Sequence, residues 1–196
     1  MLFSEDLRPE RADAEKQLGS NSVDLFWHSE DAHFANSCDF IMLICIRGDR
    51  VARTLLSLVK PENLPKHTLK ALTEPWYQIF PDDSFSNVSR PRSSCAVFSS
   101  APGGKLRFDP MFTICSNPEA FAALRCLNDL INEQAISVCL EPGDLLIIDN
   151  RRCVHARTRY QPRFDGWDRW LQRMSLYLSP PPAHLLEGEN EPIIRF

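Results

Sequence analysis

The 196-residue sequence has no lysine- or arginine-rich block, no long apolar run and no Cys-x-x-Cys pair, and each absence removes a class of function. Lys and Arg total 22 against 26 Asp and Glu, a net charge of -4, which gives no electrostatic reason to expect binding to nucleic acid or to an anionic membrane. The longest apolar run, Phe40-Ile41-Met42-Leu43-Ile44-Cys45-Ile46, falls far short of the roughly 20 residues a membrane helix needs, and its β-branched content predicts a buried strand. The charged start, Ser4-Glu5-Asp6-Leu7-Arg8-Pro9-Glu10-Arg11, lacks the basic-then-apolar layout of a secretory signal. The expectation is a cytoplasmic protein that handles a small molecule. The seven cysteines (Cys38, Cys45, Cys95, Cys115, Cys126, Cys139, Cys153) are odd in number, which argues against a disulfide framework or zinc knuckle and for packed thiols. There is no internal repeat.

Composition is that of an ordinary globular chain, with 43% hydrophobic and 24% charged residues, long enough to bury a core as one domain. Three segments are expected: a polar leader over 1–17, at best a short helix; a single domain over 18–179; and an extended tail over 180–196 that opens with Pro180-Pro181-Pro182. Within the domain, Val51, Leu55 and Leu58 have helix-like spacing, and 61–75 reads as a second short helix. The stretch 81–91 reads as a surface loop able to act as a lid. Ser94 to Ser100 and Lys105 to Asp109 are strand candidates on either side of a Pro102-Gly103-Gly104 turn. Asn117-Pro118-Glu119-Ala120 opens the clearest helix, with proline just inside the start. Ala135 to Leu140 and Leu145 to Ile148 are strands.

One stretch carries chemistry. Val23 to Phe34 alternates, and on a strand Phe26, His28 and Glu30 would share a face. An imidazole beside a carboxylate needs one more donor to make the two-histidine, one-carboxylate triad that leaves sites open on iron(II). His155 is the natural third, on a short strand after the polar turn Asp149-Asn150. Arg169 and Arg173, four apart on a strand, would lie on one face about 13 Å from each other, which suits two different carboxylates.

Phe26-Trp27-His28-Ser29-Glu30-Asp31-Ala32, Gly143-Asp144-Leu145-Leu146-Ile147-Ile148-Asp149-Asn150, His155-Ala156-Arg157-Thr158 and Asp165-Gly166-Trp167-Asp168-Arg169-Trp170-Leu171-Gln172-Arg173 closely resemble the clavaminate synthase-like branch of the TauD/TfdA-related iron(II)/2-oxoglutarate oxygenases, which includes hydroxylases of free arginine and asparagine. The resemblance implies a mainly β fold with flanking helices, the double-stranded β-helix or jelly roll. It implies Fe(II) held by His28, Glu30 and His155, with 2-oxoglutarate and O2 as cosubstrates. Arg169 and Thr54 would bind 2-oxoglutarate, and Arg173 the α-carboxylate of the substrate. Asp109 would meet the substrate's side chain; read without the family it is a turn former before Pro110. Ser20 and Asn21 would reach the substrate's amino and carboxylate groups, or simply bond their own backbone. Glu30 itself would contact the substrate, and its retention favours hydroxylation or desaturation over halogenation.

In that family the first histidine usually lies far deeper in the chain. Only seven strand candidates can be counted where the fold uses eight, so an exposed sheet edge is expected, covered by a second copy or another partner. The alternative reading is a truncated or catalytically silent jelly roll that binds a metal or small molecule and acts through a partner.

Overall fold

A computed structural model describes residues 2–9, 22–82, 93–99, 105–179, 186–187 and 193–194. Among these, two four-stranded antiparallel sheets face each other. In chain order the strands are β1 (Leu2–Leu7), β2 (Leu25–His28), β3 (Phe40–Arg47), β4 (Thr54–Leu58), β5 (Tyr77–Ile79), β6 (Thr113–Cys115), β7 (Ile136–Val138), β8 (Leu145–Asp149), β9 (Cys153–Arg157) and β10 (Trp170–Leu176). One sheet runs β1-β10-β3-β8 and the other β2-β9-β4-β7, while β5 and β6 pair by themselves. Two helices, α1 (Lys66–Thr73) and α2 (Pro118–Glu133), complete the domain. This is the double-stranded β-helix expected from the sequence.

Alternation along the strands makes two cores. On β9, Val154 and Ala156 point outward into an apolar cluster with Leu72 of α1 and Leu124, Leu127 and Ile131 of α2. Cys153 points the other way, into an inter-sheet cluster of Leu7, Ile41, Leu43, Cys45, Ile148 and Leu171. Helix α2 starts where predicted: the Asn117 side chain accepts from Ala120 N at 2.8 Å, and proline follows the cap. The Trp27 indole N–H donates to Asn132 Oδ1 at 2.9 Å, which ties β2 to that helix.

Three expectations are corrected. The segment with helix-like spacing is strand β4, paired with both β9 and β7. Here sheet pairing overrides local periodicity, and Val51, which carried the helical reading, is 64% exposed before the strand begins. Residues 93–99 and 105–109 form isolated bridges, Tyr77 with Cys95 and Phe98 with Leu106, rather than full strands. Part of the expected polar leader is strand β1, antiparallel to β10 and the eighth strand of the two sheets. It reads as polar because Ser4 and Asp6 face solvent on an edge, with Gln172 and Trp170 as partners. Residues 10–17, most of the 81–91 loop and the Pro102-Gly103-Gly104 turn lie outside the described residues, as does most of the tail, within which Leu186–Glu187 pairs with Ile193–Ile194.

Candidate active site

His28, Glu30 and His155 converge at one end of the inter-sheet space. Each offers one ligand atom, and these atoms lie within 4.8 Å of one another. His28 and His155 are direct partners across the β2–β9 ladder, and their ring centroids are 4.2 Å apart. Glu30 arrives differently from the sequence expectation. Strand β2 ends at His28 and is irregular between Leu25 and His28, so Glu30 sits in the following turn and Phe26 is 48% exposed rather than sharing the site's face. Ser29 anchors the turn: its N–H donates to Phe108 O at 2.7 Å, and its Oγ accepts from Phe108 N at 3.0 Å. Asp31 then takes a left-handed φ of 51°.

Asn150, only 1% exposed, holds this turn against the end of β8. Its Oδ1 accepts from Glu30 N at 2.7 Å, and its Nδ2 donates to Glu30 O at 3.2 Å and to Cys38 O at 3.0 Å. The sequence reading placed Asn150 only in a polar turn; nothing local shows that its partners lie more than 100 residues away.

The donor set fits a divalent cation. Glu30 Oε2 is buried without a hydrogen bond and lies 3.5 Å from His155 Nε2. Nδ1 of His28 is 2.8 Å from Phe26 O, so as the N–H donor it fixes the tautomer and leaves Nε2 with its lone pair. Burial, followed by repulsion from His155, lowers the His28 pKa and keeps the ring neutral. Burial pushes the Glu30 carboxyl up, but the Arg173 guanidinium and both imidazoles outweigh it and hold the group well below the usual carboxylate range. A neutral His28 imidazole beside an ionised Glu30 carboxylate suits metal ligation.

The other predicted residues surround this cluster. Thr54 is 4% exposed and stands opposite Arg157 on β9. Arg157 shares the inward face with His155, and its Nη2 donates to Val23 O at 2.6 Å. Burial, then repulsion from Arg169, pushes its pKa down to about 10. Arg169 itself is 6% exposed at the foot of β10, where burial lowers its pKa. Sequence reasoning passed over Arg157, although its two-residue offset from His155 on a strand was a usable signal.

Arg173 extends from mid-β10, its Nη1 donating to Glu30 Oε1 and its Nη2 to Glu5 Oε2. Asp109 caps the 3-10 turn Pro110–Phe112, accepting from Phe112 N at 3.3 Å, and also lines a small pocket with His28 and Asp82. Burial raises its pKa to about 6, with His28 opposing the shift and Asp82 adding to it. Asp31 is pushed up to about 8 by burial and then by Glu30. Ser20 and Asn21 lie outside the described residues.

Residues 86–175 match the family described as Taurine catabolism dioxygenase TauD, TfdA family. The chain is 35% identical over 175 residues to L-asparagine oxygenase of Streptomyces coelicolor, covering 86% of this chain and 52% of that one. Over residues 86–175 the chain is similar to the TauD/TfdA dioxygenases. A crystal structure of asparagine oxygenase with Fe(II), 2S,3S-3-hydroxyasparagine and succinate superposes with a TM-score of 0.82 at 33% identity, covering 89% of this chain and 56% of that one. The non-heme iron oxygenase OrfP with Fe, succinate and (3S)-hydroxy-L-Arg superposes at 0.87 and 26% identity, over 98% and 64%. The chain spans about half the length of the curated relatives it matches. No helix among its described residues is long and apolar enough to cross a membrane.

Proposed function

We propose that this chain carries the catalytic fold of an Fe(II)/2-oxoglutarate-dependent dioxygenase that hydroxylates an unactivated carbon of a free amino acid, arginine- or asparagine-like. The observation that supports this best is the convergence of His28, Glu30 and His155 within 4.8 Å, with a buried carboxylate oxygen left without a hydrogen bond. The names of its relatives, among them asparagine oxygenase and an L-ornithine/L-arginine 3-hydroxylase, support this substrate class. We assign the oxygenase domain to 18–179 together with strand β1.

His28, Glu30 and His155 would hold the metal. With the metal held there and 2-oxoglutarate and O2 as cosubstrates, the site would supply C–H hydroxylation in which O2 is the oxidant, one oxygen atom ending on the substrate carbon and the other in succinate as 2-oxoglutarate loses carbon dioxide. The residues of the chain bind and orient. Arg169, buried just before β10, and Thr54, buried on β4, take the distal carboxylate of 2-oxoglutarate, with Arg157, opposite Thr54 on β9, adding a second positive charge. Arg173 takes the α-carboxylate of the amino acid through its planar fork. Asp109 accepts from the cationic or amide end of the substrate, and Glu30 borders the same space. All seven cysteines are free thiols, which suits the cytoplasm. Leu145 and Ile147 on edge strand β8 are 50% and 56% exposed, a face that a second copy or another partner would cover.

The test is an anaerobic titration of the purified 196-residue chain with iron(II) and 2-oxoglutarate, following the visible charge-transfer band of the chelate. The band forms in the wild type and is lost in His155→Ala. A folded wild-type chain that gives no band overturns the proposal and leaves the silent binding module.

A further inference from the structure

One charged arrangement beside the site has no role in that reading. Glu5 stands directly opposite Arg173 in the β1–β10 register. Two residues along β1, Leu7 is 5% exposed and packs with Leu171 in the inter-sheet core, which identifies this as the inward face. Arg173 is thus held at both edges, by Glu30 through Nη1 and by Glu5 through Nη2. The two carboxylates are unequal. The Glu30 side chain is 8% exposed and its turn is clamped by Asn150, whereas the Glu5 side chain is 55% exposed on an edge strand.

We propose that Glu5 is a built-in competitor for the substrate carboxylate: it occupies the outer edge of Arg173, and an amino acid binds by displacing it. Exchange is favoured over addition because a single guanidinium flanked by two carboxylates already carries a local excess of negative charge, and a third carboxylate would repel both. Glu30 cannot be the one displaced, since it is buried and faces the two imidazoles. Glu5 loses little on leaving, because water solvates it at once. A half-exposed cross-strand ion pair of this kind weakens a competing ligand roughly two- to five-fold. Only ligands that bring their own carboxylate pay this penalty, so Glu5 narrows the advantage that Arg173 gives to carboxylates and makes amino-acid affinity depend on strand β1. The inference rests on the proposed function only for the identity of the displacing group.

Two measurements separate the inference from that reading. In the metal-free chain, acetate is titrated while the Arg173 Nε resonance is followed by 15N NMR; Glu5→Gln, nearly isosteric, shifts at a two- to five-fold lower acetate concentration than the wild type. Asp6→Asn, which faces outward on the same strand and touches Trp170, leaves the acetate midpoint unchanged and controls for a loosened β1. In the chain loaded anaerobically with iron(II) and 2-oxoglutarate, arginine or asparagine perturbs the visible band at correspondingly lower concentration in Glu5→Gln, whereas their carboxamides respond alike in both proteins. Equal or weaker acetate binding by Glu5→Gln overturns the competitor role whatever the iron does. Tighter acetate binding with no iron-dependent band keeps the competitor and discards the oxygenase.

Discussion

The two faces of strand β9 are chemical opposites. Outward, Val154 and Ala156 meet helices α1 and α2 in a cluster made of apolar side chains. Inward, His155 and Arg157 meet Glu30 and Arg169 at one end of the inter-sheet space, whose remainder is packed with apolar side chains. Burying ionisable groups is costly unless they are paired or ligated, so the inner face sacrifices stability that the outer face must supply. The outer core is a support, and the inner end is a site held under electrostatic tension.

The comparison breaks most visibly if the outer core turns out not to carry the stability. Leu127 is fully buried among helix and sheet residues, and Leu127→Ala is expected to cost about 2–5 kcal/mol in urea unfolding. Iron(II) affinity of the folded fraction should stay within about two-fold, because truncation there leaves the ligand geometry alone. A large loss of affinity would mean the two faces are mechanically one unit. Next in size is Asn150→Ala, which strips the Glu30 turn of its clamp and leaves buried backbone groups unpaired, at about 2–4 kcal/mol. Here iron(II) affinity should fall by about ten-fold or more, as for other groups that orient a ligand. The pair of variants sharpens the contrast: similar loss of stability, opposite effect on metal.

The two faces were also unequally legible in sequence. His155 and Arg169 stand in dense local motifs on regular or nearly regular backbone, and the structure places both at the inner end. Glu30 was found, but as a strand residue; the irregular end of β2 and the turn held by Asn150 depend on a hydrogen bond spanning 120 residues, which no local pattern encodes. Strand β4 was hidden because Val51, Leu55 and Leu58 fit a helical period although Val51 precedes the strand, and because Leu55 and Leu56 pack into opposite cores, so no polar-apolar alternation shows. Strand β1 was hidden for the opposite reason: an edge strand with one wet face and an inward glutamate looks like a polar leader until Arg173 stands opposite it.

A smaller effect separates ionisation from shape. With its pKa raised to about 6 from 3.8, Asp109 resists ionisation in the folded chain. The group costs nothing below the unfolded value, stability falls as pH rises from there to about 6, and the penalty is then constant. Asp109→Asn keeps the acceptor for Phe112 N and should stabilise the metal-free chain by about 1–3 kcal/mol above pH 6, with no gain below pH 4, as read by urea unfolding across pH. The same variant should weaken binding of an amino acid with a cationic side chain above pH 6, where the wild-type carboxylate is charged. A pH-independent gain in stability would locate the strain in packing rather than in charge.

The smallest expected effect concerns what holds β1 in place. On its outward side Arg8 pairs with Asp6 at 2.8 Å and stacks 4.1 Å above the Trp170 ring, both partners substantially exposed. On its inward side Leu7 is buried and Glu5 meets Arg173. Exposed ion pairs and cation–π contacts are each worth about 0.2–1 kcal/mol, and salt screens the first of them. Arg8→Ala should therefore cost no more than about 1 kcal/mol, a cost that shrinks in 0.5 M salt (about 4 Å of Debye length), and amide exchange along β10 should be unaltered. If Arg8→Ala instead exposed the β10 amides to exchange, the outward contacts would be what seats the strand. The inward pair of Glu5 and Arg173 would then depend on a surface cluster, and the occupancy of Arg173 would vary with ionic strength.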